Sequence, residues 1–128
     1  MEYLEIPKGY QSVMPYLIIK NAIIFFNFME TVFEATEKMK IMRDDTHVMH
    51  AELQIGESTI MFADSTEELK PRNAGLFIYV SDADETYNKA LEEGATPVTA
   101  ISNQDYGRSG GVEDPFGNVW WITSLKKY

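Results

Sequence analysis

The sequence lacks cysteine altogether and contains only two histidines, His47 and His50. The absence of cysteine excludes disulfides, thiolate metal sites and cysteine nucleophiles. The longest apolar run, residues 22–26, is far too short to cross a bilayer. The N-terminal segment MEYLEIPKGY is too acidic and polar to resemble a signal peptide. We therefore expect a cytoplasmic protein that does not bind membranes.

Basic residues are also scarce, with 11 lysines and arginines against 20 aspartates and glutamates, and the net charge is −9. An acidic surface of this kind repels phosphate backbones, so we expect no nucleic-acid partner. The length of 128 residues and the hydrophobic content of 45% are typical of one globular domain with a proper core.

Residues 48–64 are predicted to form two strands that meet at Gly56-Glu57. In the first strand, apolar residues alternate with His50, Glu52 and Gln54. Residues two apart share a face of a strand, so one face carries an imidazole, a carboxylate and an amide. The second strand has little charge on either face. This combination predicts a sheet that is covered on one side and lines a cleft on the other.

The chain repeats one pattern of elements. Ile19-Lys20-Asn21-Ala22 and Val80-Ser81-Asp82-Ala83 both end a predicted strand and begin a predicted helix, and three predicted strands follow each helix. Asn21 and Asp82 are of the residue types that cap helices at this position. Two copies of such a pattern indicate duplicated halves of one domain rather than a longer array of repeats.

The repeat predicts an α+β protein built from two strand–helix–three-strand (βαβββ) modules. We place the first module at about residues 11–64, a polar linker with Pro71 at 65–73, and the second module at about 74–125.

Short motifs occur in a characteristic order in both modules. They are Pro15-Tyr16-Leu17, Asn21-Ala22, His50-Ala51-Glu52-Leu53, Asp82-Ala83-Asp84, Gly107-Arg108, and Asp114-Pro115-Phe116-Gly117-Asn118 followed by Trp120. In this order and spacing the chain resembles the vicinal-oxygen-chelate (VOC) superfamily, which includes glyoxalases, bleomycin-resistance proteins and extradiol dioxygenases. It most resembles the PhnB-like branch.

The resemblance implies a single VOC domain over residues 1–128, with a curled mixed sheet that forms a barrel-like cleft and with helices on the outer face. It also implies a homodimer. Ile24 and Phe28 lie off the apolar stripe of the first helix, and they are either incidental surface residues or part of a subunit contact.

Members of the superfamily usually hold a metal ion with histidine, glutamate or glutamine side chains from both modules. In this chain the four implied positions fall on Met14, Met61, Gly75 and Trp121. A hard divalent ion needs carboxylate oxygen or imidazole nitrogen, which none of these residues supplies. We therefore expect no metal site and no cofactor.

If the implied ligand positions face the cleft, the alternation of side chains along the strands places aromatic walls beside the polar group of residues 50–54. Apolar walls with few polar groups are typical of an organic-ligand pocket, and aromatic rings favour flat or cationic ligands. The sequence therefore predicts a PhnB-like protein that binds a small aromatic or cationic molecule in a metal-free cleft. The candidate ligand-binding residues are Tyr16, His50, Glu52, Gln54, Met61, Phe77, Tyr79, Arg108 and Trp121.

Other interpretations stay open. His50 and Glu52 are either a catalytic acid–base pair or a polar pair that only orients a ligand or the strand. The chain is alternatively a VOC-superfamily enzyme (a lyase, isomerase, dioxygenase or thiol transferase) that uses a divalent metal or this pair. The aromatic residues alternatively form core, and Arg108 alternatively pairs with Glu113 or Asp114. A fold kept for assembly with another protein is a third possibility.

Overall fold

The computed structural model describes residues 4–126. The elements follow the order strand, helix, three strands, which occurs twice. Their bounds are β1 Tyr16–Ile19, α1 Ala22–Phe33, β2 Thr36–Met42, β3 Val48–Ile55, β4 Ser58–Asp64, β5 Gly75–Tyr79, α2 Ala83–Glu92, β6 Thr96–Gln104, β7 Gly107–Glu113 and β8 Val119–Ser124. Neither of the helices found within residues 4–126 is long and apolar enough to span a membrane.

The strands form two four-stranded sheets, with the orders β1-β4-β3-β2 and β5-β8-β7-β6. In each sheet the first strand of a module runs parallel to the last, and the other neighbours are antiparallel. The predicted α+β class and the two βαβββ modules are confirmed. The chain divides into two compact units, one with residues up to Glu30 and Glu34–Pro71, the other with Thr31–Phe33 and the residues from Arg72 onward.

Helix α1 packs on the first sheet through large aromatic side chains. Phe25 is fully buried, and its ring lies 5.2 Å from that of Phe62 on β4 in an edge-on arrangement, which is favourable for aromatic pairs. Phe28 is only 5% exposed, so its assignment to the helix surface was wrong, whereas Ile24 is 58% exposed. The prediction failed because α1 is buried over a wider arc than one apolar stripe covers. The homodimer stays a prediction, and Ile24 alone now supports it.

The start of α1 is held by a side chain from the other end of the module. Asn21 adopts a left-handed conformation (φ 67°, ψ 62°), and among the described residues its side chain makes no capping hydrogen bond, contrary to the prediction. Instead, the buried Asp64 carboxylate accepts hydrogen bonds from the backbone N–H of Ala22 at 2.9 Å and of Val48 at 2.6 Å. Asparagine tolerates the left-handed conformation better than most residues. Asn21 therefore turns the chain, and Asp64 supplies the acceptor.

Helix α2 has the N-terminal cap predicted at Asp82 and a glycine after its C-terminal end. The Asp82 side chain accepts a hydrogen bond from the backbone N–H of Glu85 at 3.1 Å, and Gly94 ends the helical segment with φ 103°. The hydroxyl oxygen of Ser124, at the end of β8, accepts a further hydrogen bond from the N–H of Ala83 at 3.1 Å.

The turn before β8 is organised by Asp114, which is 3% exposed. Its carboxylate accepts hydrogen bonds from the N–H groups of Phe116 and Asn118, each at 2.9 Å, and from the indole N–H of Trp120 at 2.8 Å. Trp120 is almost completely buried. This network fixes the turn and anchors the core side of β8.

Candidate functional site

The first sheet brings the polar residues of β3 together with side chains from β1 and β4. Tyr16 is the register partner of Met61, and Met61 is the partner of Glu52, so these three residues form a row across one face of the sheet. His50 and Gln54 flank Glu52 on the same face, because residues two apart on a strand point the same way. The alternation of side chains predicted from the sequence therefore holds on this sheet.

Three of these residues form a continuous chain of hydrogen bonds. The Tyr16 hydroxyl lies 2.9 Å from His50 Nδ1, and His50 Nε2 lies 2.7 Å from Glu52 Oε2. Exposure falls along this chain, from 46% for Tyr16 to 24% for the His50 side chain and 5% for the Glu52 side chain. The chain thus connects an accessible phenol to a buried carboxylate through one imidazole.

The second oxygen of Glu52 is held by the segment that precedes β1. The Tyr10 hydroxyl donates a hydrogen bond to Glu52 Oε1 at 2.5 Å. Lys38 Nζ lies 3.7 Å from the centre of the Tyr10 ring, donates a hydrogen bond to the Gly9 carbonyl, and donates another to Thr59 Oγ1 at 2.9 Å. A cation over an aromatic face is attracted by the ring. Tyr10 and Lys38 therefore cover Glu52.

These contacts keep Glu52 ionised. Burial by itself would raise the pKa of Glu52, but the hydrogen bonds from Tyr10 and His50 and the charge of Lys38 together hold it below its ordinary value. The pKa of the Tyr16 phenol is raised by burial and by the Glu52 charge, so that this hydroxyl keeps its proton. A carboxylate acceptor and a phenol donor are thus fixed at opposite ends of the chain.

Sequence reasoning missed Tyr10 and Lys38. Lys38 lies at a bulge-like register shift between Glu37 and Met39 in β2, and its side chain reaches Thr59. Tyr10 lies 42 positions from its partner Glu52. Neither a bulge nor a contact of that separation leaves a periodic signal in the sequence.

Gln54 and Met61 lie at the margin of this group. The Gln54 amide donates a hydrogen bond to the Gly56 carbonyl at 2.9 Å, which directs it toward the β3–β4 turn. Met61 is partly exposed between Tyr16 and Glu52 and provides an apolar surface there. The polar centre of this face is therefore His50 and Glu52.

The second sheet carries the predicted aromatic residues on one face. Phe77 on β5 is the register partner of Trp121 on β8, and Tyr79 lies two positions beyond Phe77. The Phe77 ring lies 5.2 Å from that of Tyr79 and 6.1 Å from that of Tyr106, which the sequence did not single out. All four rings are accessible, with exposures of 49% for Phe77, 68% for Tyr79, 60% for Tyr106 and 37% for Trp121. We call these four residues the aromatic face.

A glycine makes room for the largest ring of the aromatic face. Gly111 on β7 is the register partner of Trp121, and a Cβ atom at Gly111 would lie 2.4 Å from the indole. Further along the same strands, the hydroxyls of Ser109 and Thr123 are hydrogen bonded at 2.8 Å and buried. The indole of Trp121 therefore lies flat against the β7 backbone.

Arg108 lies on the opposite side of the second sheet from the aromatic face. Its guanidinium makes two hydrogen bonds to Asp84 on α2, Nε at 2.6 Å and Nη2 at 2.9 Å, and these bonds raise its pKa. Its partner is thus neither Glu113 nor Asp114, which were the alternatives considered from the sequence. A role for Arg108 in ligand binding would require it to leave Asp84.

The residues at the implied metal positions do not fit a hard divalent ion. Met61 offers a thioether, Gly75 offers no side chain, and Trp121 offers an indole packed on Gly111. Within residues 4–126 no group of three or more histidine, aspartate and glutamate side chains is placed to hold a metal ion.

A cavity of about 150 Å³ lies elsewhere in the first unit, beside α1 and β2. Its walls include Phe26, Val48 and Phe62, and its rim carries the exposed ion pair of Glu37 with Lys40 at 3.4 Å. Glu52 is among the residues that line the cavity, but Tyr16 and His50 are not. We therefore do not assign it to the candidate site.

Comparisons with known proteins agree with this fold and topology. An uncharacterized protein of Mycobacterium bovis is 31% identical over 121 residues, which is 85% of this chain and 80% of that protein. The crystal structure of protein PA1353 from Pseudomonas aeruginosa superposes with a TM-score of 0.78 at 18% identity, over 91% of this chain and 99% of that one. The PhnB protein of Bacillus cereus superposes with a TM-score of 0.72 at 15% identity, over 90% of this chain and 100% of that one.

The family model described as glyoxalase, bleomycin resistance protein and dioxygenase superfamily matches residues 22–122, which span both modules. The structure and this match lead to one conclusion: the chain belongs to the glyoxalase/bleomycin resistance protein/dioxygenase superfamily.

Proposed function

We propose that this chain is a PhnB-like, bleomycin-resistance-type protein that binds a small aromatic or cationic organic ligand without a metal ion. The observation that carries the proposal is the aromatic face of the second sheet. The Phe77 ring lies close to the rings of Tyr79 and Tyr106, and all four rings are accessible to solvent.

The exposure of these rings opposes the interpretation that they are core. Trp120 and Trp121 are neighbours in β8, yet Trp120 is 1% exposed and Trp121 is 37% exposed. A soluble domain gains stability by burying aromatic side chains, and groups of exposed large apolar side chains commonly mark binding surfaces. Trp120 thus serves the core, and Trp121 is available to a ligand.

The chemistry of the aromatic face favours flat or positively charged molecules. Aromatic rings attract a flat ligand by stacking and a cation through the negative charge of the ring face. The net charge of −9 adds a long-range attraction for cations. Neutral aliphatic ligands would gain neither of these interactions.

The first test is a calorimetric and thermal-shift screen with quaternary ammonium compounds and planar aromatic cations. A ligand that binds the folded chain raises its melting temperature, and one present at about a hundred times its Kd stabilises by about 2.7 kcal/mol. We expect Trp121→Ala to weaken binding about fivefold or more, because base-sized stacking contacts contribute about 1–3 kcal/mol each.

Leu69→Ala is the matched control, because Leu69 is 44% exposed and lies in the loop between the two modules. It should bind like the unaltered protein. If no compound of either class binds, or if Trp121→Ala and Leu69→Ala behave alike, the proposal is wrong.

A second test addresses the metal. Elemental analysis of protein purified without chelator should find less than stoichiometric nickel, zinc, manganese and iron, because Met61, Gly75 and Trp121 supply no suitable donor. A stoichiometric divalent metal would contradict the metal-free part of the proposal and leave the aromatic face to be tested separately.

A further inference from the structure

The hydrogen-bonded chain of Tyr16, His50 and Glu52 lies on the first sheet. Its order is phenol, imidazole, carboxylate, with separations of 2.9 Å and 2.7 Å. Many enzymes move protons through an arrangement of this kind, in which a nucleophile or acid–base group is hydrogen bonded to an imidazole and the imidazole to an orienting carboxylate.

The direction of each hydrogen bond follows from the chemistry of the ends. The pKa of Glu52 is lowered by its hydrogen bonds with Tyr10 and His50 in spite of burial, so Glu52 is ionised and can only accept. In the neutral imidazole of His50, Nε2 then carries the proton and Nδ1 is left as an acceptor. In that tautomer the Tyr16 hydroxyl donates its proton to His50 Nδ1, and its oxygen retains lone pairs that can accept.

We propose that Tyr16, His50 and Glu52 form a proton relay that removes an acidic proton from a bound small molecule. In this step the bond between the ligand and its proton breaks as the Tyr16 oxygen takes that proton. The original Tyr16 proton passes to His50 Nδ1. The ligand becomes an anion, His50 becomes an imidazolium, and Glu52 stabilises the new positive charge while its own protonation is unchanged.

The two ends of the relay have the accessibility that this role requires. Tyr16 is 46% exposed and is the residue that contacts the ligand, whereas Glu52 is 4% exposed. Tyr10 and Lys38 occupy the remaining side of Glu52 and keep it ionised, so they act as positioning residues. A purely structural polar pair would not need an accessible phenol at its outer end.

The inference is independent of ligand binding at the aromatic face, and its first test needs no ligand. Nitrogen-15 NMR of the histidine side chains should find His50 with its proton on Nε2 and with Nδ1 as a hydrogen-bond acceptor. Tyr16→Phe should shift the Nδ1 resonance and leave the proton on Nε2. If Nδ1 carries the proton in the unaltered protein, the relay runs in the wrong direction and the proposal is wrong.

The second test measures proton removal itself. The probe is a nitrobenzisoxazole, a flat aromatic carbon acid whose ring opens when a base takes its C–H proton. We expect the unaltered protein to accelerate ring opening, and both Tyr16→Phe and Glu52→Gln to lower kcat by about a hundredfold, as general acid–base groups typically contribute.

Glu68→Gln is the matched control for Glu52→Gln, because it removes an exposed carboxylate in the loop between the two modules. It should leave kcat unchanged, and urea unfolding should show that all variants remain folded. An unaltered protein no faster than buffer, or a Tyr16→Phe variant as fast as the unaltered protein, would overturn the proposal. Loss of activity in Trp121→Ala through KM alone would concern the aromatic face and not the relay.

Discussion

The two modules share one topology, yet equivalent rows of residues carry different chemistry. In the first sheet the row is Tyr16, Met61 and Glu52, and in the second it is Phe77, Trp121 and Gly111. A carboxylate occupies the β3 position of the first row, and a glycine occupies the equivalent β7 position of the second row. The first row has therefore become a hydrogen-bonded polar centre, and the second a support for an exposed indole.

The ends of the two helices differ in the same way. Asp64 and Ser124 occupy equivalent ends of β4 and β8, and each accepts a hydrogen bond from the first N–H of its module's helix. Asp64 also accepts one from Val48, so the first module places two backbone groups on a single carboxylate. The shared topology fixes where an acceptor is needed, and the residue type decides how much stability depends on it.

The largest expected effect is at Asp64. Asp64→Ala would leave two buried N–H groups without their acceptor, and we expect it to lower the free energy of unfolding by about 3 kcal/mol. Ser124→Ala removes one neutral hydrogen bond and should cost only about 1 kcal/mol. Urea unfolding measures both free energies. Asp45→Ala, in an exposed turn, is the control, and its free energy of unfolding should lie within about 0.5 kcal/mol of that of the unaltered protein. Equal costs for the two caps would remove the contrast between the modules.

The next effect concerns the second row. Gly111→Ala would place a Cβ atom 2.4 Å from the Trp121 indole, so the ring must move. We expect a loss of about 2 kcal/mol from overpacking, together with a change in tryptophan fluorescence. Gly56→Ala is a useful comparison because no atom lies within 4 Å of its Cβ position, although its φ of 56° disfavours alanine. Unchanged fluorescence in Gly111→Ala would show that Trp121 does not rest on this glycine.

A smaller effect is expected at the C-terminal ends of the helices. Glu34 has a left-handed φ of 58°, whereas Gly94 serves the second module with φ 103°. Glu34→Gly should stabilise by about 1 kcal/mol, and Gly94→Ala should destabilise by about 1 kcal/mol, because only glycine adopts such angles without a steric cost. Thermal unfolding should show a higher melting temperature for Glu34→Gly and a lower one for Gly94→Ala. A loss of stability in Glu34→Gly would contradict this prediction.

The smallest effect is on pH dependence. The pKa of Glu52 is lower in the folded chain than its ordinary value, so its contribution to stability is present above the ordinary pKa and is lost as the pH falls through the folded pKa. In Glu52→Gln the free energy of unfolding should therefore fall less steeply as the pH drops from the ordinary pKa of Glu52 to its folded pKa. Urea unfolding at a series of pH values measures the slope.

Asp44, an exposed carboxylate between β2 and β3, provides a control. Hydrogen bonds from Thr46 and His47 lower its pKa from 3.8 to about 2, so its contribution is lost between these two values. Asp44→Asn should change the slope only there. If Glu52→Gln leaves the acid slope unchanged, Glu52 is not held as an ionised acceptor.

The repeat of elements was readable from the sequence because it rests on local signals. The helix cap predicted at Asp82 depends on residues close in the chain, and it is present in the structure. Alternation along β3 likewise predicted that His50 and Glu52 share a face. Phe28 was misjudged because the arc over which a helix is buried depends on its neighbours.

Contacts between distant segments were not predictable from these signals. Tyr10 meets Glu52, Arg108 meets Asp84, and Asp64 caps α1 in place of Asn21. Each of these contacts forms because the fold brings together two segments that are far apart in the sequence. A register shift in β2 adds to this, because it pairs Met39 with Glu52 without changing the residue pattern.

The sequence by itself determined the two βαβββ modules, the acidic charge and the absence of suitable ligands at the implied metal positions, because periodicity, turn chemistry and composition act over short distances. Only the tertiary structure decided that Tyr16, His50 and Glu52 form one hydrogen-bonded chain, that Tyr10 and Lys38 cover it, and that Gly111 supports Trp121. The physical reason is that hydrogen bonds and ring contacts require atoms within a few ångströms. That proximity is set by strand register and by the return of the chain, not by neighbours in sequence.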